Sequence, residues 1–361
     1  MRNLGKLAVL GITALGLALA GPQDNSLVIG ASQEPRVLAG DFLSVISNQA
    51  IKSEIEQYLF APFIGFNADS QNFPVLATEV PTLENGRLRV TDIGGGKKRL
   101  EMDITIRPDA KWSDGRPITT EDVAFYFEVG KAKGMPVLNP DFWERVNVRI
   151  KDARNFTLIF EPAYYYDTYG PINTYAPKHI MGPEWERVKA AARGLDPQKD
   201  AEKLNELYRN FFIKFSTPQA LNRGAMVYSG PFMLRRWVPG NSIEMVRNPN
   251  FPIKPEGGES KYVQKVVYRF IQNTNSLLVA VIGGSIDATS SVSLTFDQGR
   301  SPQLVRRAPG RFDIWFVPGA IWEHIDINKF ENCQVVKDLG LNDKRTRQAI
   351  LDAALDLFAD K

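Results

Sequence analysis

The sequence has very few of the residues from which enzymes build metal sites and nucleophilic sites. Its 361 residues include one cysteine, Cys333, and two histidines, His179 and His324. A single cysteine excludes an internal disulfide and a thiolate zinc site, and the histidines stand in no H-E-x-x-H or similar spacing. No G-x-S-x-G nucleophile elbow occurs either. We therefore expect no metal, no cofactor and no catalysis.

Signals for binding nucleotides or nucleic acids are also missing. No G-x-G-x-x-G is present, and the glycine run "DIGGGKK" (92–98) lacks the phosphate-loop pattern G-x-x-x-x-G-K-[ST], so we interpret it as a hairpin loop. The 44 Lys and Arg residues nearly balance the 41 Asp and Glu residues, which leaves a net charge of +3. So small an excess gives no electrostatic support for nucleic-acid binding.

The first twenty residues have the pattern of a secretory signal peptide. Arg2 and Lys6 precede an apolar run from Leu7 to Ala20, which ends in Ala-Leu-Ala before Gly21. The alternative, a membrane anchor, is less well supported because the run is short for a span and polar residues follow at once. A lipid anchor would need a cysteine where Gly21 stands. The pattern predicts a protein exported to the periplasm or another extracytoplasmic space.

The rest of the chain alternates strand and helix patterns. "LVIGA" (27–31) is a short apolar run typical of a strand in a parallel sheet, and 48–59 has apolar residues at helical spacing. Residues 185–215 are predicted to be largely helical, with an interruption at Gly194 and Pro197. A hairpin is predicted around Pro239-Gly240-Asn241, a strand at 266–271, a helix at 275–282 that Gly283 and Gly284 end, and an amphipathic helix at 343–357. This mixture predicts an α/β protein of more than one lobe.

The stretch "ITIRPDAKWSDGRPITTEDVAFYFE" (104–128) reads as strand, turn and helix. Alternating apolar residues from Leu100 to Ile106 predict a strand, and Thr119 with Asp122 three residues later predicts a capped helix start. The turn "KWSDG" between them is either a structural corner built on Trp112 or part of a ligand site. We favour the corner.

A strand is predicted from Phe156 to its end at Pro162, and the run of tyrosines that follows it leaves two interpretations open. Tyrosine has a broad apolar face and a polar tip, which suits binding of peptides or sugars and equally suits packing at the edge of a core. Packing is the favoured interpretation for this group, which comprises Tyr164, Tyr165, Tyr166, Tyr169 and Tyr175.

Five segments in order give the chain a resemblance to a known family. The 104–128 stretch resembles the signature of bacterial extracellular solute-binding proteins of family 5, the peptide- and nickel-binding receptors of ABC importers. The other four segments are "APKHI" (176–180), "YSGPFMLRRWVPGNSIEMVRNPNF" (228–251), "VVYRFIQNTNSLLVAVIGGSIDAT" (266–289) and "INKFENCQ" with "LNDKRTRQAILDAAL" (327–355).

The resemblance implies a two-lobed fold of the type II periplasmic-binding-protein class. Residues 1–20 would be the signal peptide, 21–290 the first lobe with an inserted small subdomain at about 62–168, and 291–361 part of a second lobe that is incomplete. A monomer that binds a peptide or similar small solute and delivers it to a membrane permease would follow, with no nucleic acid involved.

The same resemblance implies the ligand contacts. The loop "EPRVL" (34–38) matches a family loop that borders the ligand cleft, so Glu34 and Val37 are the leading candidates. Tyr228 and Ser229 are weaker ones. Two other functions stay open: a truncated remnant of such a receptor that transports nothing, and a secreted hydrolase, which the scarcity of histidine and cysteine argues against.

Overall fold

The structure is a computed structural model that describes residues 25–67, 71–164, 176–254 and 262–314. The chain divides into two compact units, Met1–Arg311 and Phe312–Lys361, and every strand and helix described here belongs to the first. The predicted signal peptide, Tyr165 to Tyr175, Cys333, His324 and the predicted helix 343–357 lie outside the described residues.

Eleven strands and nine helices are described in these ranges. The strands are β1 (Ser26–Ala31), β2 (Ile64–Phe66), β3 (Asn72–Pro74), β4 (Leu88–Gly94), β5 (Lys97–Thr105), β6 (Val146–Ile150), β7 (Asn155–Phe160), β8 (Phe232–Val238), β9 (Ser242–Arg247), β10 (Lys265–Phe270) and β11 (Ala288–Thr289). The helices are α1 (Ala50–Leu59), α2 (Thr120–Gly130), α3 (Pro140–Arg145), α4 (Lys178–Ala192), α5 (Ala201–Ser216), α6 (Pro218–Leu221), α7 (Thr274–Gly283), α8 (Phe296–Gly299) and α9 (Pro302–Val305).

The main sheet has five strands in the order β11-β1-β10-β9-β8. β1 runs parallel to both β10 and β11, as its continuous apolar sequence predicts, whereas β8, β9 and β10 form an antiparallel meander. The predicted hairpin at residues 239–241 is the connection between β8 and β9. Gly240 lies at a φ of 73°, a left-handed conformation that glycine adopts without strain.

A second sheet of four antiparallel strands has the order β4-β5-β7-β6. Along β5, Leu100, Met102 and Ile104 are buried while Glu101 and Asp103 face the polar side, so the predicted alternation is confirmed. The glycine run connects β4 to β5 as a hairpin loop, as predicted. The buried face of the small sheet and one face of the main sheet share one hydrophobic core, and Val28 on β1 packs in a second cluster with Leu277 and Ile286.

The boundaries of the helices differ from the predictions at two places. α4 begins at Lys178, earlier than the predicted start at Trp185, and Pro183 lies inside the helix. Gly283 belongs to α7, and Gly284 alone ends the helix in a left-handed conformation. The break that Gly194 and Pro197 predict lies between α4 and α5.

The corner "KWSDG" is a structural junction. The Trp112 side chain is wholly buried, and its Nε1 donates to Asp122 Oδ2 at 3.3 Å. Asp122 also accepts from Thr119 N at 3.0 Å, which completes the predicted capping box at the start of α2. Burial raises the pKa of Asp122, although these hydrogen bonds oppose the rise.

The same corner joins α2 to two distant parts of the chain. Ser113 N donates to Tyr228 O at 2.8 Å, and Tyr228 N donates to Ser113 Oγ at 3.0 Å. Asp114 Oδ2 lies 2.9 Å from His179 Nε2 on α4. The predicted corner role is therefore confirmed, and His179 has a carboxylate partner, as expected of an isolated histidine.

Candidate functional site at the carboxyl edge of the main sheet

The parallel strands place their carboxyl ends on one edge of the main sheet. β1 ends at Ala31, β10 at Phe270 and β11 at Thr289, and the 239–241 turn lies at the same edge because Ser242 pairs with Arg269. We call these four features the carboxyl edge. In open α/β sheets ligands bind outside the carboxyl ends of the strands, so this edge is the candidate site.

The loop that follows β1 is fixed to the carboxyl edge by Glu34. Its Oε1 accepts a hydrogen bond from Trp237 Nε1 at 2.7 Å, and its Oε2 accepts one from Gly240 N at 2.8 Å. Both carboxylate oxygens are thus occupied by groups of the β8–β9 hairpin. The structure gives Glu34 a positioning role, and contact of its side chain with a ligand stays a prediction.

The other three predicted contacts are buried. Val37 follows Glu34 in the same loop and is buried, with 3% of its surface exposed. Tyr228 and Ser229 lie before the first residue of β8, at the opposite end of that strand from the carboxyl edge. The Ser229 Oγ accepts from Ala61 N at 3.2 Å, and burial raises the pKa of Tyr228.

The structure therefore brings together only part of the predicted set. Glu34 and Val37 share one loop at the carboxyl edge, and Tyr228 and Ser229 belong to the junction around "KWSDG". Ligand contact by Tyr228 and Ser229 stays a prediction, but their burial and their distance along β8 from the carboxyl edge argue against it.

Glu54 is a residue of the candidate site that sequence reasoning missed. Its carboxylate accepts from Tyr268 Oη at 2.7 Å, from Ser290 Oγ at 2.9 Å and from Ser291 N at 3.0 Å. Glu54 thus fastens α1 to the segment that leaves β11. A glutamate in a helix is ordinary, so nothing in the sequence marks it.

The segment after β11 is also fixed to the loop after β1. Ser32 donates to Val292 O twice, from its backbone N at 3.2 Å and from its Oγ at 2.7 Å. Ser290 N donates to Gly30 O at 2.9 Å. The residues beyond β1 and β11 therefore form one hydrogen-bonded unit at the carboxyl edge.

A buried charged cluster lies behind the same loop. Lys52 Nζ on α1 donates to Glu56 Oε2 at 3.2 Å and to Asp41 O at 3.0 Å, and Glu56 Oε1 accepts from Ala39 N at 2.9 Å. Burial raises the pKa of Asp41, and it raises the pKa of Glu56 to about 7. These groups hold residues 39–47 against α1.

The described residues contain no group of histidine, cysteine, aspartate and glutamate side chains that would suit a metal ion. Within the same ranges, no helix is both long enough and apolar enough to cross a membrane.

Comparison with known proteins identifies the family. Residues 97–355 match the family described as bacterial extracellular solute-binding proteins, family 5 middle. The chain belongs to this family. The predicted fold class, an α/β protein of the type II periplasmic-binding-protein kind, is confirmed. Family 5 comprises binding proteins and not enzymes.

Among solved structures, the chain is similar to an oligopeptide-binding protein of Thermus thermophilus that was crystallised with a pentapeptide. The two are 98% identical, with a TM-score of 0.88, over 92% of this chain and 55% of the Thermus chain.

Curated relatives of the chain are more distant. The oligopeptide-binding protein AppA of Bacillus subtilis (strain 168) is 23% identical over 353 residues, which is 92% of this chain and 50% of AppA. The peptidoglycan-binding protein YepA of Agrobacterium fabrum is 29% identical over 199 residues, 53% of this chain and 26% of YepA. The chain thus spans half or less of the length of these relatives.

Proposed function

We propose that the chain belongs to an extracytoplasmic receptor that binds oligopeptides and delivers them to a membrane permease of an ABC importer, without catalysis. The observation that carries the proposal is the 98% identity to the Thermus oligopeptide-binding protein that was solved with a pentapeptide. The family membership of residues 97–355 supports it. Two isolated histidines and one cysteine supply no constellation for hydrolysis.

The carboxyl edge supports this function by its rigidity. Glu34 fixes the loop after β1 to the hairpin, and Glu54 fixes the segment after β11 to α1. A binding surface whose loops are already held loses little conformational entropy when a ligand docks. An extended peptide along this edge would find the backbone N–H and C=O groups of these loops already held in fixed positions.

Delivery to a permease requires that the ligand-bound form differ from the free form. In two-lobed binding proteins this change is a hinge closure around the ligand. The segment from Ser290 to Val292 leaves the main sheet close to the predicted end of the first lobe at residue 290. We propose that it is the fixed side of such a hinge, because Glu54 and Ser32 hold it to the first lobe.

Peptide binding is tested by fluorescence titration of the protein produced from its natural coding sequence. Trp237 lies beside Glu34 and would report a ligand at the carboxyl edge. An equimolar mixture of pentapeptides should change the emission with saturation, and a mixture of free amino acids should not. The Trp237→Phe variant should lose most of the signal and should still show saturable binding in calorimetry, with lower affinity because Glu34 loses one of its two donors. A protein that binds no pentapeptide in either measurement would exclude the proposal.

Export is tested separately. The proposed extracytoplasmic location predicts cleavage after Ala20, since Ala18-Leu19-Ala20 is the A-x-A site that ends the apolar run. Amino-terminal sequencing of the exported protein should begin at Gly21. A protein that keeps Met1 and stays in the cytoplasm would contradict it.

A further inference from the structure

Three charged side chains are buried between the loop after β1 and helix α1. Asp41, Lys52 and Glu56 expose 0%, 2% and 4% of their surfaces. The peptide-binding role proposed above makes no use of them. They lie behind residues 34–38, the loop on which the candidate ligand contacts lie.

The cluster contains two carboxylates and one ammonium group. The charged groups that face Glu56 in the described structure are Lys52 of its own helix and Asp41 of the loop. A cavity of about 790 Å³ adjoins the cluster. Its lining includes Phe42 and Phe60, and Lys52 and Glu56 are the charged residues among those that line it. With both carboxyls ionised the cluster would bury one uncompensated negative charge, which is costly in a protein interior.

The proton that removes this charge belongs on Glu56. Asp41 accepts hydrogen bonds from the backbone N of Ile46 at 3.2 Å and of Ser47 at 3.1 Å, and such donors favour its ionised form. Glu56 has one backbone donor, Ala39 N on Oε1, besides Lys52 Nζ on Oε2, whereas Asp41 has three backbone donors that favour its ionised form. Accordingly, the pKa of Glu56 is raised to about 7, chiefly by burial.

Glu56 holds the loop at a point where the backbone is unusual. Ala39 has a φ of 60° and Ser44 a φ of 55°, left-handed conformations that cost free energy for residues other than glycine. Glu56 contacts the first of these residues directly, and Lys52 Nζ lies 3.4 Å from the Oγ of the second. These contacts hold Ala39 and Ser44 in their left-handed conformations and offset the cost in free energy.

We propose that Glu56 is a positioning residue of the loop after β1, and that the loop opens more readily when the Glu56 carboxyl is ionised. Residues 34–47 would then be held more firmly in mildly acidic surroundings than above neutral pH. Ionisation favours opening because water solvates the carboxylate better than one shared ammonium group does.

The direction of the pH effect follows from linkage. The closed loop keeps a proton on Glu56 up to about pH 7, whereas an opened, solvated glutamate loses it near its ordinary value of 4.5. The closed form therefore binds more protons throughout this window. The opening equilibrium constant should rise by up to about tenfold per pH unit between these two values and be level above pH 7.

Amide hydrogen exchange at pH 5, 6, 7 and 8, corrected for intrinsic rates, tests the proposal without any ligand. The loop proposal can therefore fail while the proposed peptide binding is confirmed, and the peptide binding can fail while the loop proposal is confirmed. Protection of Ala39 and of residues 41–47 should fall between pH 5 and 7. The core strand β10 should show no such trend.

Two variants separate this cluster from other titrating groups. Glu56→Gln keeps the size and an acceptor for Ala39 N, and should make the protection of the loop independent of pH. Asp41→Asn removes the smaller of the two causes that raise the pKa of Glu56, so the fall in protection should shift to lower pH but persist, because the burial remains. Asp41→Asn also provides the test if Glu56→Gln does not fold.

The matched control is Glu186→Gln on the exposed face of α4, where Glu186 pairs with Lys189. It should retain the trend of the unmodified protein. A loop whose protection is level from pH 5 to 7 in the unmodified protein would overturn the proposal. The same trend persisting in Glu56→Gln would overturn it as well, and so would a trend in Asp41→Asn that is not shifted to lower pH.

Discussion

Glu34 and Trp237 are joined by a 2.7 Å hydrogen bond although 203 positions separate them in the sequence. The bond ties the loop after β1 to the far hairpin of the main sheet. With the second bond, from Gly240 N, it makes Glu34 the residue that sets the position of this loop. The family resemblance makes Glu34 a candidate ligand contact, whereas the hydrogen-bond partners observed for its side chain are groups of the protein itself.

Glu34→Gln should lower the free energy of unfolding by about 1–2 kcal/mol, because one charge-assisted hydrogen bond is replaced by a mismatched amide. Urea denaturation followed by tryptophan emission measures the change. Glu186→Gln, which loses only an exposed ion pair, should change the free energy of unfolding by less than about 0.5 kcal/mol. Unaltered stability of Glu34→Gln would show that the bonds to the hairpin contribute little.

Glu54→Ala should loosen the segment after β11. The variant leaves Tyr268 Oη and the two serines without the carboxylate that accepts their hydrogen bonds. Hydrogen exchange at Ser290 to Val292 should quicken about tenfold or more, since protection follows local stability. Ser53→Ala, on the neighbouring exposed position of α1, is the control and should leave exchange there unaltered. Equal exchange in both variants would contradict the role assigned to Glu54.

Trp112→Ala should destabilise the protein by about 3–5 kcal/mol, the range for removing a fully buried large aromatic side chain. Trp112→Phe should cost less, because it refills most of the space and loses chiefly the hydrogen bond to Asp122. Thermal and urea unfolding compare the two. The pentapeptide affinity of the folded fraction should be unchanged in both, and a selective loss of affinity would place the corner in the ligand site.

Asp103→Asn should weaken the response of the protein to acid. Burial alone would raise the pKa of Asp103, but hydrogen bonds from Arg89, Lys151 and Thr157 outweigh it and hold the pKa below its usual range. A lowered pKa stabilises the folded state above about pH 4, and this contribution is lost as the pH falls further. The free energy of unfolding between pH 5 and 2.5 should fall less steeply in Asp103→Asn than in the unmodified protein.

The control for this prediction is Asp92→Asn, whose carboxylate pairs with Lys98 on the exposed hairpin. Its acid response should stay close to that of the unmodified protein. An Asp103→Asn variant with the same steep dependence would show that the network around this residue does not govern acid stability.

Local features of the fold were predictable from the sequence because they depend on neighbouring residues. Alternation along Leu100, Met102 and Ile104 gave the correct strand and buried face. Thr119 and Asp122 gave the correct helix start, and Pro239-Gly240-Asn241 the correct hairpin. In each case the signal and the structure lie within a few residues of each other.

The candidate site was less predictable because its contacts join remote parts of the chain. Glu54 contacts residues more than 200 positions away, and no periodicity or motif encodes such a pairing. The family resemblance named Glu34, which lies at the carboxyl edge, but could not show that both its oxygens accept hydrogen bonds from the β8–β9 hairpin. It also grouped Tyr228 and Ser229 with a loop at the opposite end of the sheet.

The parallel pairing of β1 imposes an order on how the chain reaches its native state. Val28 N bonds to the Asp287 carboxylate, a partner 259 positions away, so the main sheet cannot close until most of the chain is available. The small sheet has no such requirement, since β4 to β7 lie between residues 88 and 160. Contacts between residues far apart in the sequence form slowly, because the chain must lose the entropy of the intervening loop before the contact stabilises it. Strand β1 should therefore stay unpaired longest, and the main sheet should form later than the small sheet.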